Sequence, residues 1–393
     1  MRIKLFQYSI CVFAFSLSFN PDWSSKAILL AGIMALFNLR FDKNALRGKL
    51  LYFLLGLSVF TIFNLCIIAK SFDGSFLILV GLLFLFYFLF FHTRLESSWY
   101  KYFFISFTIG VYFVGFLNLG VALLYISDID FMSLYNTWSN YSVIDIQKIY
   151  YALYLNMAFL FIIDLVIKNA RRYRPIIITA ICLATLLLFV YSGSLSGIGM
   201  FLVLCVLITV YYELPKYFHG VSAMFVLLPL VTFLALINPS AQKIFSKVDG
   251  ENSRIRNFNV NKELVFQSPI IGYGLGKELE TMQKAREPGS WEFKNKYHAH
   301  NQYFEFFLGG GMVLFAVFVY LFSLLLMSAY SNYSKSLYPI GFCIIMVFVF
   351  LIESILRRHH GFMFFTFFFM LFMGYLSNNN SVTLSKEIKR NSL

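Results

Sequence analysis

Charged residues are scarce in this chain: they make up 13% of its 393 residues, whereas hydrophobic residues make up 59%. A soluble domain cannot bury that much apolar surface, so the composition excludes an ordinary soluble protein and predicts repeated membrane spans. The basic residues are scattered through loops and do not gather on one soluble face, which argues against nucleic acid as a partner. We therefore expect a polytopic membrane protein whose partners include membrane lipids.

Cysteine is also sparse. The chain has five cysteines, all inside apolar runs, with neither metal-type spacing nor a shared loop: Cys11, Cys66, Cys182, Cys205 and Cys343. A free cysteine in such a position behaves as a small hydrophobe. This pattern argues against disulfides and against a zinc site.

Apolar windows long enough to cross a hydrocarbon core occur about twelve times along the chain. They lie near 5–19, 24–40, 50–69, 76–92, 102–125, 149–167, 176–192, 197–213, 221–237, 302–327, 340–354 and 362–377. No small-residue cleavage site follows the first window, so we interpret it as a retained helix. Because backbone polar groups inside a bilayer favour helices, the predicted fold is all-α: a polytopic membrane helix bundle of about 12 transmembrane helices, with a partly helical periplasmic loop between the ninth and tenth spans.

The distribution of Lys and Arg predicts the orientation of the chain. With the N-terminus in the cytoplasm, most basic residues outside the longest loop fall in inner loops, as the positive-inside rule requires. Both termini are then cytoplasmic. The predicted parts are a membrane bundle in 1–237, a large periplasmic loop in 238–301, further spans in 302–377 and a cytoplasmic tail in 378–393. We call residues 238–301 the large loop.

The large loop divides into three segments. Residues 253–266 carry apolar side chains at roughly helical spacing, which places Arg254 one turn from Phe258. Three glycines then occupy every second position of 271–276, a pattern typical of a tight turn, with a close backbone approach to a ligand as the alternative. The charged segment 277–296 is predicted to be a mobile surface excursion with no chemistry.

Histidine and arginine gather at the outer ends of the last three spans. We expect eight of them to converge on one pocket: His298, His300, His359, His360, Arg254, Arg256, Arg357 and Arg358. Histidine can take a proton from a hydroxyl near neutral pH, and arginine can clamp phosphate through two hydrogen bonds. This pairing suits attack by an alcohol on a carbon whose leaving group is a phosphate ester. Asn301 is expected to cap the helix that begins at Gln302.

Two patterns offer a metal site as an alternative. His298 and His300 are spaced as metal ligands can be, but no nearby cysteine or carboxylate pair completes a site. Asp128 and Asp130 form a carboxylate pair in an earlier outer loop. Two acids in a loop are common by chance, and we predict no metal site.

These residues resemble the bacterial O-antigen ligase and O-antigen polymerase superfamily. The family pattern is an arginine, an aromatic residue four positions on, a Pro-x-x-Gly-x-Gly turn, and His-Asn before a span with glycines. It is matched by Arg254, Phe258, Pro269, Gly272, Gly274, His300, Asn301 and Gly309 to Gly311. Residues 353–361 are similar to a second family segment, Glu-Ser-x-Leu-x-Arg-x-x-Gly. The resemblance covers roughly residues 190–375, and the first half only as a set of spans.

The resemblance implies an inverting glycosyltransferase of the inner membrane that needs neither a metal nor another cofactor. Its donor would be a glycan on undecaprenyl diphosphate, presented at the periplasmic face. His300 would activate the acceptor hydroxyl, and Glu353 would orient a nearby histidine or arginine. Arg254 and Arg358 would bind the diphosphate; the remaining residues implied to bind substrate are Arg256, Arg357, His298 and Asn301.

One segment departs from the family. Many members have a Ser-Arg-Gly-like motif at the outer end of the span before Gly197, whereas this chain reads Ser192-Gly-Ser-Leu-Ser-Gly197. Either Arg256 or Arg357 takes over that phosphate contact, or the donor is handled differently.

Three functions follow from these patterns. The first is an O-antigen ligase, which joins the lipid-linked glycan to lipid A–core. The second is a polymerase of the same architecture, whose acceptor is another lipid-linked repeat. The third is a secondary transporter with twelve spans, for which Asp164 is the main buried acid. The His-Asn and Glu-Ser-x-Leu segments favour the ligase.

Overall fold

A computed structural model describes residues 2–39, 48–70, 74–93, 95–96, 98–125, 138, 142–169, 174–212, 253–332 and 336–391. Its helices are α1 (Arg2–Ser16), α2 (Pro21–Leu36), α3 (Lys49–Phe63), α4 (Gly74–Phe91), α5 (Trp99–Tyr125), α6 (Lys148–Asn169), α7 (Arg174–Ser192), α8 (Leu195–Tyr211), α9 (Ser253–Gln267), α10 (Glu278–Ala285), α11 (Trp291–Lys294), α12 (Gln302–Tyr330), α13 (Leu337–Ile352) and α14 (His359–Asn391). A π-helical segment, Asn64–Ala69, continues α3, and a 3₁₀ turn, Ile355–Arg357, precedes α14.

The protein is an all-α polytopic membrane protein, which confirms the predicted fold class. Within the described part of the chain, six helical segments are long and apolar enough to cross a membrane: Lys49–Ala69, Trp99–Tyr125, Lys148–Asn169, Arg174–Ser192, Gln302–Tyr330 and His359–Ser377. Four shorter helices are also apolar. Every predicted span but one coincides with a helix to within a few residues. The exception, 221–237, lies outside the described residues, as does the pair Asp128 and Asp130.

The chain divides into two compact units. The first comprises Met1–Asn38, Leu95–Ser246 and Ile340–Ile345. Its central helix is α6, which packs against α5, α7 and α8. Asp164 on α6 accepts a hydrogen bond from the Tyr212 hydroxyl and lies 3.0 Å from the Lys168 ammonium. The acid that suggested a transporter is therefore engaged by neighbouring side chains.

The second unit comprises Leu39–Arg94, Lys247–Pro339 and Met346–Leu393. Helix α14 is its most buried span and packs against α4 and α12. Helices α9 and α10 lie on α12, where Leu264, Met282, Ala299 and Leu308 form a small apolar core. This unit contains every residue that the sequence places in the candidate site.

Helix α12 begins as predicted and then breaks. The Asn301 side chain accepts hydrogen bonds from the backbone N–H groups of Tyr303 and Phe304, at 2.9 and 3.2 Å, which confirms the predicted cap. At Gly311 the backbone turns to φ +63° and ψ −156°, which interrupts the helix. Only glycine adopts this conformation at low cost.

The glycine-rich turn of the large loop packs against this break. The backbone N–H of Tyr273 donates to the Leu308 carbonyl at 2.6 Å, and the backbone N–H of Met312 donates to the Pro269 carbonyl at 2.8 Å. A Cβ atom on Gly311 would lie 2.2 Å from the Ile270 carbonyl oxygen. The tight-turn interpretation is confirmed, and the close approach is to the backbone of α12.

The prediction for residues 277–296 is wrong. This segment contains α10 and α11, and three of its charged residues are buried: Glu278, Arg286 and Glu292 are exposed at 7%, 5% and 3%. Each has partners that allow burial, because Arg286 donates to three acceptors while the two glutamates pair with arginines. The charged residues of this segment were expected to be exposed to solvent, and three of them are buried.

Candidate functional site

His300 and Glu353 form the centre of the candidate site. The His300 Nδ1 atom lies 3.0 Å from Glu353 Oε2, and both side chains are about one-quarter exposed, at 24% and 21%. Because a carboxylate accepts hydrogen bonds, this contact makes Nδ1 the donor and leaves Nε2 as the basic nitrogen. Nε2 has no hydrogen-bond partner among the described residues. The pair has the geometry of a base held by an orienting acid.

The backbone and a neighbouring ring also fix the position of His300. Its φ is +48°, in the left-handed region that non-glycine residues rarely occupy. The Tyr297 ring packs on the imidazole with 4.2 Å between ring centroids. Backbone strain of this kind persists only where surrounding contacts enforce it. The His300 imidazole is therefore held in place before any substrate binds.

Residues at the start of α12 also form hydrogen bonds with the end of α13 and with the segment that follows it. The Asn301 amide donates to the Leu351 carbonyl at 3.1 Å, and Gln302 Oε1 accepts from the Leu356 N–H at 2.8 Å. The two motifs that the sequence showed separately, His-Asn and Glu-Ser-x-Leu, thus lie against each other. The Asn301 side-chain oxygen thus caps α12, and the side-chain NH2 group binds the Leu351 carbonyl.

Two side chains of the large loop hold the backbone of residues 297–299, which we call the histidine segment. The Asn257 amide on α9 donates to the carbonyls of His298 and Ala299, at 2.8 and 3.1 Å. The buried Arg286 guanidinium donates to the Asn257 side-chain oxygen and to the Tyr297 carbonyl. Burial is the main cause that lowers the pKa of Arg286, but the group keeps its charge. Residues 297–299 are thus tied to α9 and α10.

A cavity of about 150 Å³ opens beside His300. Its walls include Asn257, Phe258, His300, Asn301, Phe304 and Leu351. The rings of Phe258 and Phe304 meet edge to face at 5.2 Å. Arg254 lies one turn before Phe258 on α9, as predicted. The cavity thus brings His300 together with two asparagine amides and two aromatic rings.

Arg357 lies in a second, smaller cavity of about 60 Å³ with two acids. Its Nη1 atom is 2.8 Å from Glu305 Oε2 and 3.5 Å from Glu278 Oε2. Burial, followed by the charge of Glu305, raises the pKa of Glu278 to about 7. Arg357 is therefore committed to carboxylates rather than open to a phosphate.

Arg358 and His298 differ from Arg357 in their surroundings. Arg358 is exposed, and its guanidinium has no acceptor among the described residues. The pKa of His298 is lowered by burial first and then by the charge of Arg357, with smaller effects from His300 and Arg358. His298 therefore lies close enough to His300, Arg357 and Arg358 to be affected by their charges.

One predicted member of the pocket, Arg256, takes another role. Arg256 donates through Nε and Nη2 to Glu292 Oε1, at 3.1 and 2.9 Å, and so ties α9 to α11. The rings of His359 and His360 lie 6.0 Å apart at the start of α14. Because Arg256 and Arg357 are both paired with glutamates, each candidate replacement for the missing Ser-Arg-Gly arginine is already engaged.

The sequence analysis missed four residues that build the site. Glu278 and Glu305 hold Arg357, and Arg286 holds the histidine segment. Asn64, in the π-helical segment, accepts from the Leu275 N–H at 2.7 Å and donates to the Gly309 carbonyl at 3.3 Å. A π-helix inside a span often marks a functional position, but no local pattern predicts one.

Residues 152–319 match the family model described as O-antigen ligase. This segment is an O-antigen ligase domain. The match includes α9, the glycine-rich turn and His300, and it ends before Glu353 and Arg357. No curated protein matches the chain. The resemblance predicted from the motifs is confirmed.

The O-antigen ligase domain and the apolar helices together indicate a bacterial membrane protein. The matched family implies lipid-linked glycans as substrates and a glycosyltransferase-like ligase or polymerase as the enzyme. The family match favours a ligase or polymerase over a transporter as the interpretation of the spans.

Proposed function

We propose that the protein is an inner-membrane glycosyltransferase of the O-antigen ligase type. It transfers a glycan from undecaprenyl diphosphate to lipid A–core at the periplasmic face, without a metal or other cofactor. The observation that carries this proposal is the His300–Glu353 pair, 3.0 Å apart beside a cavity in the O-antigen ligase domain.

The pair supplies what the transfer needs from a base. The acceptor hydroxyl attacks the anomeric carbon of the donor sugar, and its proton moves to His300 Nε2. A new C–O bond forms while the bond from that carbon to the phosphate oxygen breaks, and its electrons leave with undecaprenyl diphosphate. A single displacement of this kind inverts the anomeric centre. Glu353 keeps the imidazole in the required tautomer and stabilises the imidazolium.

The leaving diphosphate needs cationic partners. Arg358 is exposed beside His298, and Arg254 lies one turn before a residue of the His300 cavity on α9. We assign the diphosphate to these two arginines, because Arg256 and Arg357 are engaged by glutamates. Asn301 and His298 would then shape the site rather than carry charge to the donor.

A polymerase remains the second candidate, because the same donor end serves both reactions. Its acceptor would be a second lipid-linked repeat, and the motifs of the sequence are shared by both activities. The residues that differ would line the acceptor side of the cavity.

The test is transfer by the purified protein in detergent. Undecaprenyl-diphosphate glycan is offered with lipid A–core in one reaction and with a second lipid-linked repeat in another. The native chain, His300→Ala and Glu280→Gln are compared, the last because Glu280 is exposed on α10 and pairs only with Lys277 and Lys284 among the described residues.

We expect product with lipid A–core, a loss of at least about 100-fold in kcat for His300→Ala, and native rates for Glu280→Gln. Product only with the second repeat would make the protein a polymerase. Equal rates for His300→Ala and the native chain would overturn the role of His300, and no transfer with either acceptor would overturn the proposed reaction.

A further inference from the structure

The cavity around Arg357 contains one more acid than base. Glu278 and Glu305 both face the Arg357 guanidinium, and their side chains are 9% and 4% exposed. Two ionised carboxylates beside one arginine would leave a buried negative charge, which is costly in a medium of low polarity. A shared proton removes that cost, as in other pairs of close carboxyl groups.

Glu278 is the member of the pair that is better placed to carry the proton. Its Oε2 is 3.5 Å from Arg357 Nη1, whereas Glu305 Oε2 is 2.8 Å from the same atom. The raised pKa of Glu278 agrees with this assignment, with burial as the larger cause and the charge of Glu305 as the next. Arg357 opposes the shift without cancelling it.

Both acids also touch the chain that frames the candidate site. Glu305 Oε1 accepts from the Ser354 hydroxyl at 3.1 Å, one residue after Glu353. Glu278 Oε1 accepts from the Gly276 N–H at 3.1 Å, in the glycine-rich turn. The cluster therefore joins the turn, the start of α12 and residues 354–357. Arg358 follows directly on this clamped segment.

We propose that Glu278 and Glu305 are positioning residues of the donor site, which hold Arg357 with one shared proton and so present Arg358 to a diphosphate. With the proton in place the cluster is neutral, and the neighbouring Arg358 keeps its full attraction for an anion. When the proton leaves, the cluster carries a negative charge that repels the diphosphate. The inference rests on the proposed function for the identity of the ligand.

The direction of the pH effect follows from the charges. Donor-site affinity is highest while Glu278 is protonated and falls as the pH rises through its pKa. The charged groups that act on Glu278 are Glu305 and Arg357. His298 also titrates near the site; burial, and then the charge of Arg357, lower its pKa and so favour its neutral form.

The experiment measures equilibrium binding of undecaprenyl diphosphate to the full-length protein in detergent, from pH 6.5 to 8.5. The variants are Glu278→Gln, Glu305→Gln and the control Glu280→Gln. Binding is measured apart from transfer, so a failure of the proposed reaction does not obscure the result. Elution on gel filtration and the unfolding temperature verify that each variant is folded.

We expect Kd of the native protein to rise about tenfold across this range, since one charge is gained. Glu278→Gln should vary less than twofold, because a glutamine keeps the uncharged form at every pH. Glu305→Gln should weaken binding about tenfold at pH 6.5, since the neutral glutamine has one acceptor oxygen and cannot accept from both Arg357 and Ser354.

The same pH dependence in Glu278→Gln as in the native protein would overturn the shared proton. A native Kd for folded Glu305→Gln would overturn the positioning role. Native binding without transfer to either acceptor would reject the proposed reaction while leaving this inference standing. Absence of any binding by the native protein would overturn both.

Discussion

At the residue scale, the proposed function depends on which ring nitrogen of His300 is hydrogen-bonded to Glu353. The Nδ1 contact to Glu353 fixes the tautomer, and Tyr297 limits rotation of the ring. The histidine alone would be an ordinary interfacial residue. The glutamate, 53 positions away in the chain, turns it into a candidate base.

Glu353→Gln should lower kcat about 100-fold and change donor affinity less than threefold. The glutamine amide keeps the size of the side chain but does not stabilise the imidazolium that forms during transfer. Initial rates at saturating donor and acceptor measure the effect, with Glu280→Gln as the control. A fall confined to donor affinity would show that Glu353 acts on the diphosphate instead.

Arg286 is a structural arginine at the same scale. Arg286→Met should reduce the free energy of unfolding by about 3 kcal/mol, because three acceptors in a buried region lose their donor. Lys284→Met, two residues earlier in the chain with a side chain 74% exposed, is the matched control and should change it by less than about 0.5 kcal/mol. Thermal unfolding in detergent compares the two. Equal effects would contradict the role of Arg286.

At the scale of elements, the break in α12 and the glycine-rich turn form one feature. The turn backbone bonds to residues 308, 309, 312 and 313, inside the span. Irregular backbone at this depth is tolerated only where protein groups satisfy it. Asn64 contributes from the π-helical segment, so α3 takes part in holding the turn.

Gly311→Ala tests this feature. The added Cβ would meet the Ile270 carbonyl at 2.2 Å, and φ at +63° is strained for alanine, so we expect a loss of roughly 1–3 kcal/mol in unfolding free energy. Gly56→Ala lies in a helix with open space around its Cβ and should be neutral or slightly stabilising. An unfolding temperature of Gly311→Ala equal to that of Gly56→Ala would contradict the packing described here.

At the scale of the whole molecule, the net charge of +13 and the loop charges predict an orientation. A cysteine at Lys284, in the large loop, should react with a membrane-impermeant maleimide in intact cells. A cysteine at Lys101 should react only after permeabilisation. Both are made in a Cys66→Ser background, because Cys66 is the exposed native cysteine. Labelling of the Lys101 variant in intact cells would reverse the proposed orientation.

The sequence by itself determined the helical spans, the cap at Asn301 and the membership of His300 in a family motif. Spans are readable because a bilayer forces the backbone to satisfy its polar groups within the segment. A helix cap is readable because its partners lie two and three residues away.

Only the tertiary structure decided the partners of the charged residues. Glu353 lies beside His300, Arg256 beside Glu292, and Arg357 between Glu278 and Glu305. These pairs are 36 to 79 residues apart in the chain. A charged residue has the same local pattern whether it is solvated or buried with a partner, because the partner comes from another element. The tertiary fold therefore decides which charged residues are buried.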